Sequence, residues 1–505
     1  MSTTIQLCLL SHTNVGKTTL ARTLLAEDIG EVQDAAHITE TASGHTLITT
    51  DQGHSLQIWD TPGFGDSARL AARLEQSESA LGWFLTEVWD RVRDRPFWLS
   101  QRALVAARDH ADIVLYLVNA AESPRDIGYL DAEMRILKWL GKPVLVLLNQ
   151  MGPPKPATQE INEAQQWARA LQPYSHVRDI IPLDAFARCW VHESVLLHAI
   201  EHHLDASLQP AFRVLRQSWE ARNQQRFEAS MDVLASFLLQ ASQASVDLEK
   251  PSLWQSARGS LGSQRTELSP EKEAAVRELE AALSDSIQQA SLALLKLHKL
   301  DGKLTVQLDQ RLHENFAFDT PMDIQKVGFL GAIASGAVTG ATADLMSGGL
   351  TLGGGLLVGA VVGGLTFAGG AMGMNKLSGK EKPTAQLDPI YLEALTVSVV
   401  LRYLAVAHFG RGRGNYVEGE SPAFWKEYVA HAIETRRAPF LLAWQAARRH
   451  DGDALSTLRQ LLLDATASVL NTLYPNAVTP VDASPRHDSR TEPAPAAAPP
   501  YHAGL

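Results

Sequence analysis

Residues 11–18 read Ser11-His12-Thr13-Asn14-Val15-Gly16-Lys17-Thr18 and end on a Gly-Lys-Thr triplet. An apolar run, residues 5–10, precedes them and a helical pattern, residues 18–25, follows. That is the context a phosphate-binding loop of the Walker A type requires. Gly16 lets the backbone turn tightly, so that successive N–H groups point at phosphate oxygens, and the helix N-terminus adds partial positive charge. Lys17 supplies a cation for the β- and γ-phosphates, and Thr18 supplies a hydroxyl ligand for Mg²⁺. The usual first glycine of such loops is Ser11 here, a residue small enough to be accommodated. About 40 residues further on, a second strand pattern ends in Asp60-Thr61-Pro62-Gly63. An Asp at the carboxyl end of a strand can hold Mg²⁺ through water. A Gly three residues later can offer its backbone N–H to a γ-phosphate, and loss of that phosphate releases the loop. Alone, D-x-x-G is a weak motif; after a Walker A loop, with strands between, it is a strong one.

The elements that must position these residues are legible as alternation. Apolar runs at 5–10, 54–59, 113–118, 144–148 and 177–183 are nearly continuous, as strands buried on both faces must be. Residues 45–50 alternate and read as an edge strand. Helical patterns such as 125–140 and 157–171 lie between the runs, so the fold class is α/β, a mostly parallel sheet flanked by helices. The connection between Asp60 and Ile113 is too long for a simple crossover, which predicts a helical insert at about 66–110 with Trp83, Trp89 and Trp98 packing inward, a partner surface being the alternative for these rings. From 206 to 475 the pattern is mainly helical: Phe212, Leu215, Trp219, Phe227, Met231, Leu234 and Leu238 recur at three- and four-residue steps, and a second run spans Val276 to Leu297. Residues 251–268 read as a loop, 389–409 and 453–473 as further helices with a segment opened by Ser421-Pro422 between them, and 476–505, rich in Pro and Ala, as a disordered tail.

Taken together, Asn14-Val15-Gly16-Lys17-Thr18, Asp60-Thr61-Pro62-Gly63 and their order along the sheet make residues 1–205 resemble the small GTPases of the translation-factor class, specifically the Era-like group. Gly30-Glu31-Val32 and the later Asp344…Gly348-Gly349-Leu350-Thr351-Leu352-Gly353 stretch resemble, more narrowly, an uncharacterised bacterial family in which an Era-like domain precedes a helical domain with a glycine-rich centre. The resemblance implies a slow GTP-hydrolysing switch using GTP and Mg²⁺. It implies a nucleotide-binding set of Ser11, Asn14, Val15, Gly16, Lys17, Thr18, Thr19, Asn149 and Ala185. Lys17, Asn14 and Gly63 would serve catalysis, and Thr18, Asp60 and a switch threonine would hold the metal; Thr39 is the choice, with Thr41 and Thr46 as competitors. Two departures stand out. The Asn-Lys-x-Asp motif that reads guanine is Asn149-Gln150-Met151-Gly152, so the Asp that accepts from guanine N1 and N2 is missing, and GTP is favoured by resemblance while an adenine nucleotide stays open. The residue after Gly63 is Phe64, which cannot orient water as the glutamine of Ras-like switches does. In Era-like proteins with such a replacement, the residue matching Asn14 helps to bind a K⁺ ion, which the resemblance carries over to Asn14. Asp184-Ala185-Phe186 falls where a backbone N–H meets guanine O6.

Residues 327–343 and 345–375 carry no charge, with Asp344 between them and Lys326, Lys376, Lys380 and Lys382 outside. Spans of this length reach the threshold for crossing a membrane, and Gly336/Gly340 and Gly355/Gly359/Gly363 recur at four-residue steps that let helices approach closely. The segment 327–375 therefore reads as a glycine-rich helical hairpin in contact with a membrane lipid or a membrane protein; a buried hairpin of a water-soluble fold is the alternative, since fifteen glycines weaken a helix in water. Flanking lysines favour the cytoplasmic side, the inner face of the cell membrane. A dynamin-like mechanical or scaffold GTPase, with the hairpin as its working part, is a second functional class. A net charge of −11 disfavours a nucleic-acid partner. Two cysteines, Cys8 and Cys189, exclude a disulfide framework, and no signal sequence precedes the first strand, so the expected compartment is the cytosol. His202-His203 is the nearest approach to a metal pair, but sequence neighbours on a helix point apart.

Overall fold

A computed structural model describes residues 2–25, 43–76, 95–152, 155–184, 190–247, 270–300, 365–368, 384–408 and 423–474. The first part is β1 (Thr4–Ser11), α1 (Lys17–Leu25), β2 (Ser43–Thr49), β3 (Ser55–Asp60), α2 (Ser67–Gln76), α3 (Arg95–His110), β4 (Ile113–Asn119), α4 (Leu130–Leu140), β5 (Val144–Asn149), α5 (Ala157–Leu171), β6 (Val177–Pro182) and α6 (Trp190–His203). The strands form one sheet in the order β2-β3-β1-β4-β5-β6. All neighbours are parallel except β2, which runs antiparallel on β3. Each central strand buries both faces. Ile5, Leu7, Leu9, Leu115, Leu117, Leu145 and Leu147 point to the side covered by α1 and α6, whereas Cys8, Leu10, Val114, Tyr116, Val118, Val146 and Leu148 point to the side covered by α2, α3, α4 and α5. This is why the runs carry so little polar alternation. Every parallel strand ends at the same edge, where the described residues that follow β1, β3, β5 and β6, the last as far as Asp184, meet.

The helical part comprises α7 (Gln209–Gln243), β7 (Ser245–Asp247), α8 (Pro270–Leu297), β8 (Leu365–Ala368), β9 (Thr384–Leu387), α9 (Pro389–Ala407), α10 (Ala423–Glu434), α11 (Arg437–Arg448) and α12 (Ala454–Leu473). Asp388 caps α9 by accepting the Ile390 N–H at 2.7 Å, with Pro389 in the first turn. Among the described residues α9 is the one helix long and apolar enough to cross a membrane; here it is mostly buried, packed among α7, α8 and α10–α12. The expected division at 205 falls between α6 and α7. Phe212, Leu215 and Trp219, from the start of α7, pack into the sheet-side core with Leu47, Leu56 and Ile58, whereas Phe227, Met231, Leu234 and Leu238 pack into the helical core. One unbroken 35-residue helix thus belongs to both cores.

Several expectations change. The helix expected over 125–140 begins at Leu130, because a turn closes from Asp126 N–H onto Ser123 and from Leu130 N–H onto Ile127, with Gly128 between. The helical insert contains α2 and α3; Trp98 is half-buried, and Trp83 and Trp89 lie outside the described residues. Helix α11 is not anticipated by the sequence: only Thr435 and Arg436 separate it from α10, and no glycine marks the break. Of the glycine-rich segment 327–375, residues 365–368 form strand β8 rather than helix, paired antiparallel with β9, which also pairs with β7. The rest of that segment, the loop 251–268 and the tail 476–505 lie outside the described residues.

Candidate functional site

The loop after β1 wraps around the start of α1, and two of its residues take left-handed backbone, Asn14 (φ 63°) and Gly16 (φ 96°). A side chain at Gly16 would also put its Cβ 2.7 Å from Asn149 Nδ2, so glycine is required by conformation and by space. Lys17 is the first residue of α1 and is buried. Its Nζ donates to Ser11 Oγ at 2.8 Å. The serine in the glycine's usual place is therefore a partner of the lysine rather than a tolerated substitute, and its own hydroxyl donates to the His12 carbonyl. Burial pushes the Lys17 ammonium down to about 8, against the opposing pull of Asp60 and then of Glu133.

Asp60 ends β3 directly across from α1. Thr18 Oγ1 donates to Asp60 Oδ2 at 2.7 Å, and Asp60 Oδ1 is buried without a hydrogen-bond partner. Burial raises the Asp60 carboxyl, and the Thr18 hydrogen bond and Lys17 oppose it. A hydroxyl and an orphaned carboxylate oxygen side by side are hard-oxygen donors of the kind Mg²⁺ takes. The residues present fit that ion. Strand β2 starts with Ser43 opposite Asp60. Thr39 and Thr41 lie outside the described residues, and Thr46 stands exposed within β2 opposite Gln57. Among the described residues no group of three His, Cys, Asp or Glu side chains could hold a metal, and the His202 and His203 rings meet edge-on at 4.8 Å.

Gly63 follows Asp60 into the site. A Cβ there would meet Thr13 Cα at 2.9 Å and Lys17 Nζ at 3.0 Å, so the backbone passes within touch of the lysine. The Phe64 N–H donates to the Ser11 carbonyl at 2.9 Å, and the Phe64 ring is fully buried among Cys8, Leu10 and Leu70. It packs the loop and offers nothing to a water. Thr61 Oγ1 donates to the Leu9 carbonyl, fixing the strand end.

At the ends of β5 and β6, Asn149 is fully buried and donates from Nδ2 to the Val15 carbonyl at 2.6 Å. Gln150, at φ 57°, donates from Nε2 to the Asn14 carbonyl at 3.2 Å. Val15 itself is buried in the core, and Asn14 is exposed at the loop's crest. Thr19 is buried inside α1, where its carbonyl accepts the Thr23 hydroxyl at 2.8 Å. Ala185 lies outside the described residues. The structure thus brings Ser11, Asn14, Val15, Gly16, Lys17, Thr18, Asp60, Gly63 and Asn149 to one edge of the sheet.

Two features escape motif reading. The buried Glu133 of α4 accepts from Ser67 and Tyr116 hydroxyls and pairs with His12 Nδ1 at 2.7 Å, while Tyr129 stacks on the His12 ring at 3.9 Å. Asp184, after β6, accepts the Met151 N–H at 2.7 Å. Both join residues far apart in sequence, and no motif announces these side-chain contacts, although Asp184 itself falls in the Asp184-Ala185-Phe186 run noted above.

A parallel sheet, a Lys-bearing loop on a helix N-terminus and an Asp at the neighbouring strand end define a P-loop GTPase domain, and residues 6–150 match the family described as 50S ribosome-binding GTPase. GTP and Mg²⁺ use go with that class. Residues 176–473, more than half of the chain, match the family described as "Domain of unknown function (DUF3482)", and the chain belongs to that family. Similar solved structures include Era in complex with MgGDPNP and a segment of 16S ribosomal RNA, at 18% identity and TM-score 0.30, over 41% of this chain and 58% of that one. A variant of Aquifex aeolicus Era bound to GDP and AlF4⁻ is similar at 16% identity and TM-score 0.30, over 57% of this chain and 89% of that one. Toc33 from Arabidopsis thaliana, as a dimerization-deficient mutant, is similar at 15% identity and TM-score 0.25, over 37% and 72%. No curated protein matches the chain.

Proposed function

We propose that this chain is an Era-like GTP-binding switch that hydrolyses GTP slowly and passes its nucleotide state to the helical region through α7. The observation that carries the reading is the convergence of Lys17, Thr18, Asp60 and Gly63 on one small volume. In this reading the N–H groups of residues 14–19 cradle the phosphates, with Ser11 setting the lysine's direction. Lys17 reaches the β- and γ-phosphates, and the Gly63 N–H meets the γ-phosphate. Thr18, Asp60 and Thr39 would hold Mg²⁺, which would neutralise phosphate charge when bound. Asn149 braces the loop from behind, and Ala185 offers its N–H on the base side. Turnover is slow because Phe64 occupies the position after Gly63 and is sealed in the core. Loss of the γ-phosphate frees Gly63, and the freed loop leads directly into α2. Equilibrium binding of labelled GTP to the parent and to Lys17→Ala tests the reading: the parent binds in the presence of Mg²⁺ and the variant loses it at least 100-fold. Equal binding by both, or by neither, refutes it.

Two finer assignments belong to the same proposal. Asn14, held at the crest of the loop, takes part in binding K⁺; hydrolysis faster in K⁺ than in Na⁺ at equal ionic strength supports this, and equal rates remove it. Residues 327–375 contact the inner face of the cell membrane, supported by their uncharged runs and flanking lysines. Flotation of the full chain with anionic liposomes tests this, and a chain that sediments with and without GTP refutes it.

A further inference from the structure

The site described above holds phosphates and metal, yet the position that reads guanine in similar domains is Gly152. The structure shows why a side chain does not belong at 152. Gly152 takes φ 82°, a backbone that disfavours any L side chain, and a Cβ built there meets nothing within 4 Å. An acceptor side chain at 152 would be strained in this backbone. The loop has instead turned its Met151 N–H onto a carboxylate from the next strand. Asp184 Oδ2 accepts that N–H at 2.7 Å, and Asp184 is buried, 7% exposed.

The location of Asp184 is set by the sheet. Strand β6 pairs with β5 in parallel, with Pro182 beside Leu148, and the Leu183 N–H donates to the Leu148 carbonyl at 3.0 Å. The next residue, Asp184, therefore stands beside the loop 149–152. That loop is tied to the phosphate loop by Asn149 on Val15 and Gln150 on Asn14. A nucleotide with its phosphates on residues 14–19 must place its base along this same edge, outside the carboxyl ends of β5 and β6. The Glu160 carboxylate of α5, which feels the charge of Asp184, accepts the Lys155 N–H at 3.1 Å.

We propose that Asp184 is the guanine-selecting carboxylate of this site, the acceptor having moved from the β5 loop to the β6 loop. This rests on the nucleotide-switch reading above and names its base specificity. The chemistry is simple. Guanine presents two donors on one edge, N1–H and the N2 amino group. An ionised carboxylate offers about four lone-pair sites, so accepting Met151 N–H is compatible with accepting that pair as well. Adenine presents a lone pair at N1, which faces a carboxylate unfavourably. Xanthine presents N1–H and a carbonyl at C2, a pattern that matches a carboxamide, not a carboxylate.

The test is competition binding of GTP, ATP and XTP to the full chain, with Mg²⁺. The parent is expected to prefer GTP over ATP and over XTP by about 100-fold or more, as buried charged hydrogen bonds of this kind provide. Asp184→Asn keeps the shape and still accepts Met151 N–H through its carbonyl oxygen. It is expected to weaken GTP about 100-fold, to tighten XTP past GTP, and to leave ATP within about threefold. Glu160→Gln is expected to change none of the three. Asp184→Ser, a second variant with a small acceptor, is expected to lose the GTP preference without gaining XTP. The proposal is overturned if Asp184→Asn weakens all three nucleotides alike, which is the mark of a merely structural contact. It is also overturned if either Asp184 variant retains the GTP preference. A parent that binds ATP and GTP equally, with both lost in Lys17→Ala, overturns base selection and leaves the phosphate site standing. A parent that binds no triphosphate overturns both readings.

Discussion

Glu133 is the member of the site whose removal has the most readable consequence. It is fully buried on α4, and it joins the phosphate loop through His12 to the start of α2 through Ser67 and to the core of β4 through Tyr116. Consider Glu133→Ala. Tyr116 and Ser67 are both buried, so each hydroxyl loses this acceptor where water does not reach, at about 1–3 kcal/mol apiece. His12 is a quarter exposed and can turn to water, so its loss costs little. The vacated volume adds about 1 kcal/mol. Removing a buried carboxylate returns part of its desolvation cost. The balance is a loss of about 3–4 kcal/mol, which for a domain of this size lowers Tm by roughly 10 °C. Glu133→Gln keeps the volume and one acceptor oxygen, and the hydroxyls can rotate to accept from its amide, so about 1 kcal/mol is expected. Urea denaturation of the nucleotide-free chain, followed by the fluorescence of the sheet-side tryptophans, measures both. If Glu133→Ala lies within 1 kcal/mol of the parent, or if Gln and Ala cost the same, the network does not hold the loop in the way the hydrogen bonds indicate.

Other substitutions probe the phosphate grip and its outlet. Gly63→Ala drives a methyl against the Thr13 backbone and Lys17 Nζ, so GTP affinity should fall about 10–100-fold while GDP affinity stays within about threefold, measured with fluorescent nucleotides. Lys17 is held down at about 8, below its ordinary 10.5, so its charged form destabilises the nucleotide-free fold below pH 8, and that penalty fades as pH rises from 8 towards 10.5. Lys17→Met should therefore stabilise the nucleotide-free chain at pH 7 by up to about 3 kcal/mol and lose that advantage near pH 10, as read by urea midpoints at the two pH values. Because α7 packs in both cores, GTP at 100 times its Kd, a stabilisation of about 2.7 kcal/mol, should slow amide exchange in the Phe227–Leu238 part of α7 as well as near Lys17; unchanged exchange there would separate the two cores.

Much of the fold was legible because its signals are local. Strands buried on both faces leave apolar runs, and β1, β3, β4, β5 and β6 fall where those runs lie. The phosphate loop and the D-x-x-G turn are contiguous motifs, and the sheet brings them together as their spacing requires. What escaped was non-local or unpunctuated. The three- and four-residue spacing of α7 reveals a helix, but Phe212 and Phe227 look alike in sequence while packing into different cores. The α10–α11 break at Thr435-Arg436 lacks a glycine, and Pro439 sits in the first turn of α11, where it fits a helix start as well as an interruption. Leu365–Ala368 reads as membrane-helix sequence, yet it pairs with β9, and a short apolar run suits either fate. The sequence points to Asp184 only through its neighbour's backbone; the role of its side chain depends on Met151, brought near by the β5–β6 register. Glu133 lies among ordinary helix residues and is singled out only by the burial of what it touches.

The placement of these parts separates what the site holds from what it distinguishes. The groups proposed to grip phosphate and metal sit at the ends of β1 and β3, and α7 packs against β2 and β3, the same side of the sheet. In the switch proposed above, a change at the γ-phosphate would move the Asp60–Gly63 turn, which continues β3, a strand that α7 touches. The groups proposed to read the base sit at the ends of β5 and β6, on the far side of β4. They reach the phosphate loop through hydrogen bonds that include Asn149 to Val15 and Gln150 to Asn14. Base recognition can therefore be rebuilt, with an acceptor on a different strand, without disturbing either the grip or its outlet. Phosphate contacts dominate affinity and tolerate little change in geometry, whereas a base-edge acceptor needs only two lone pairs in the right plane. A carboxylate that the β5–β6 register brings to that plane could take the role, and Asp184, which accepts the Met151 N–H, is the one proposed above.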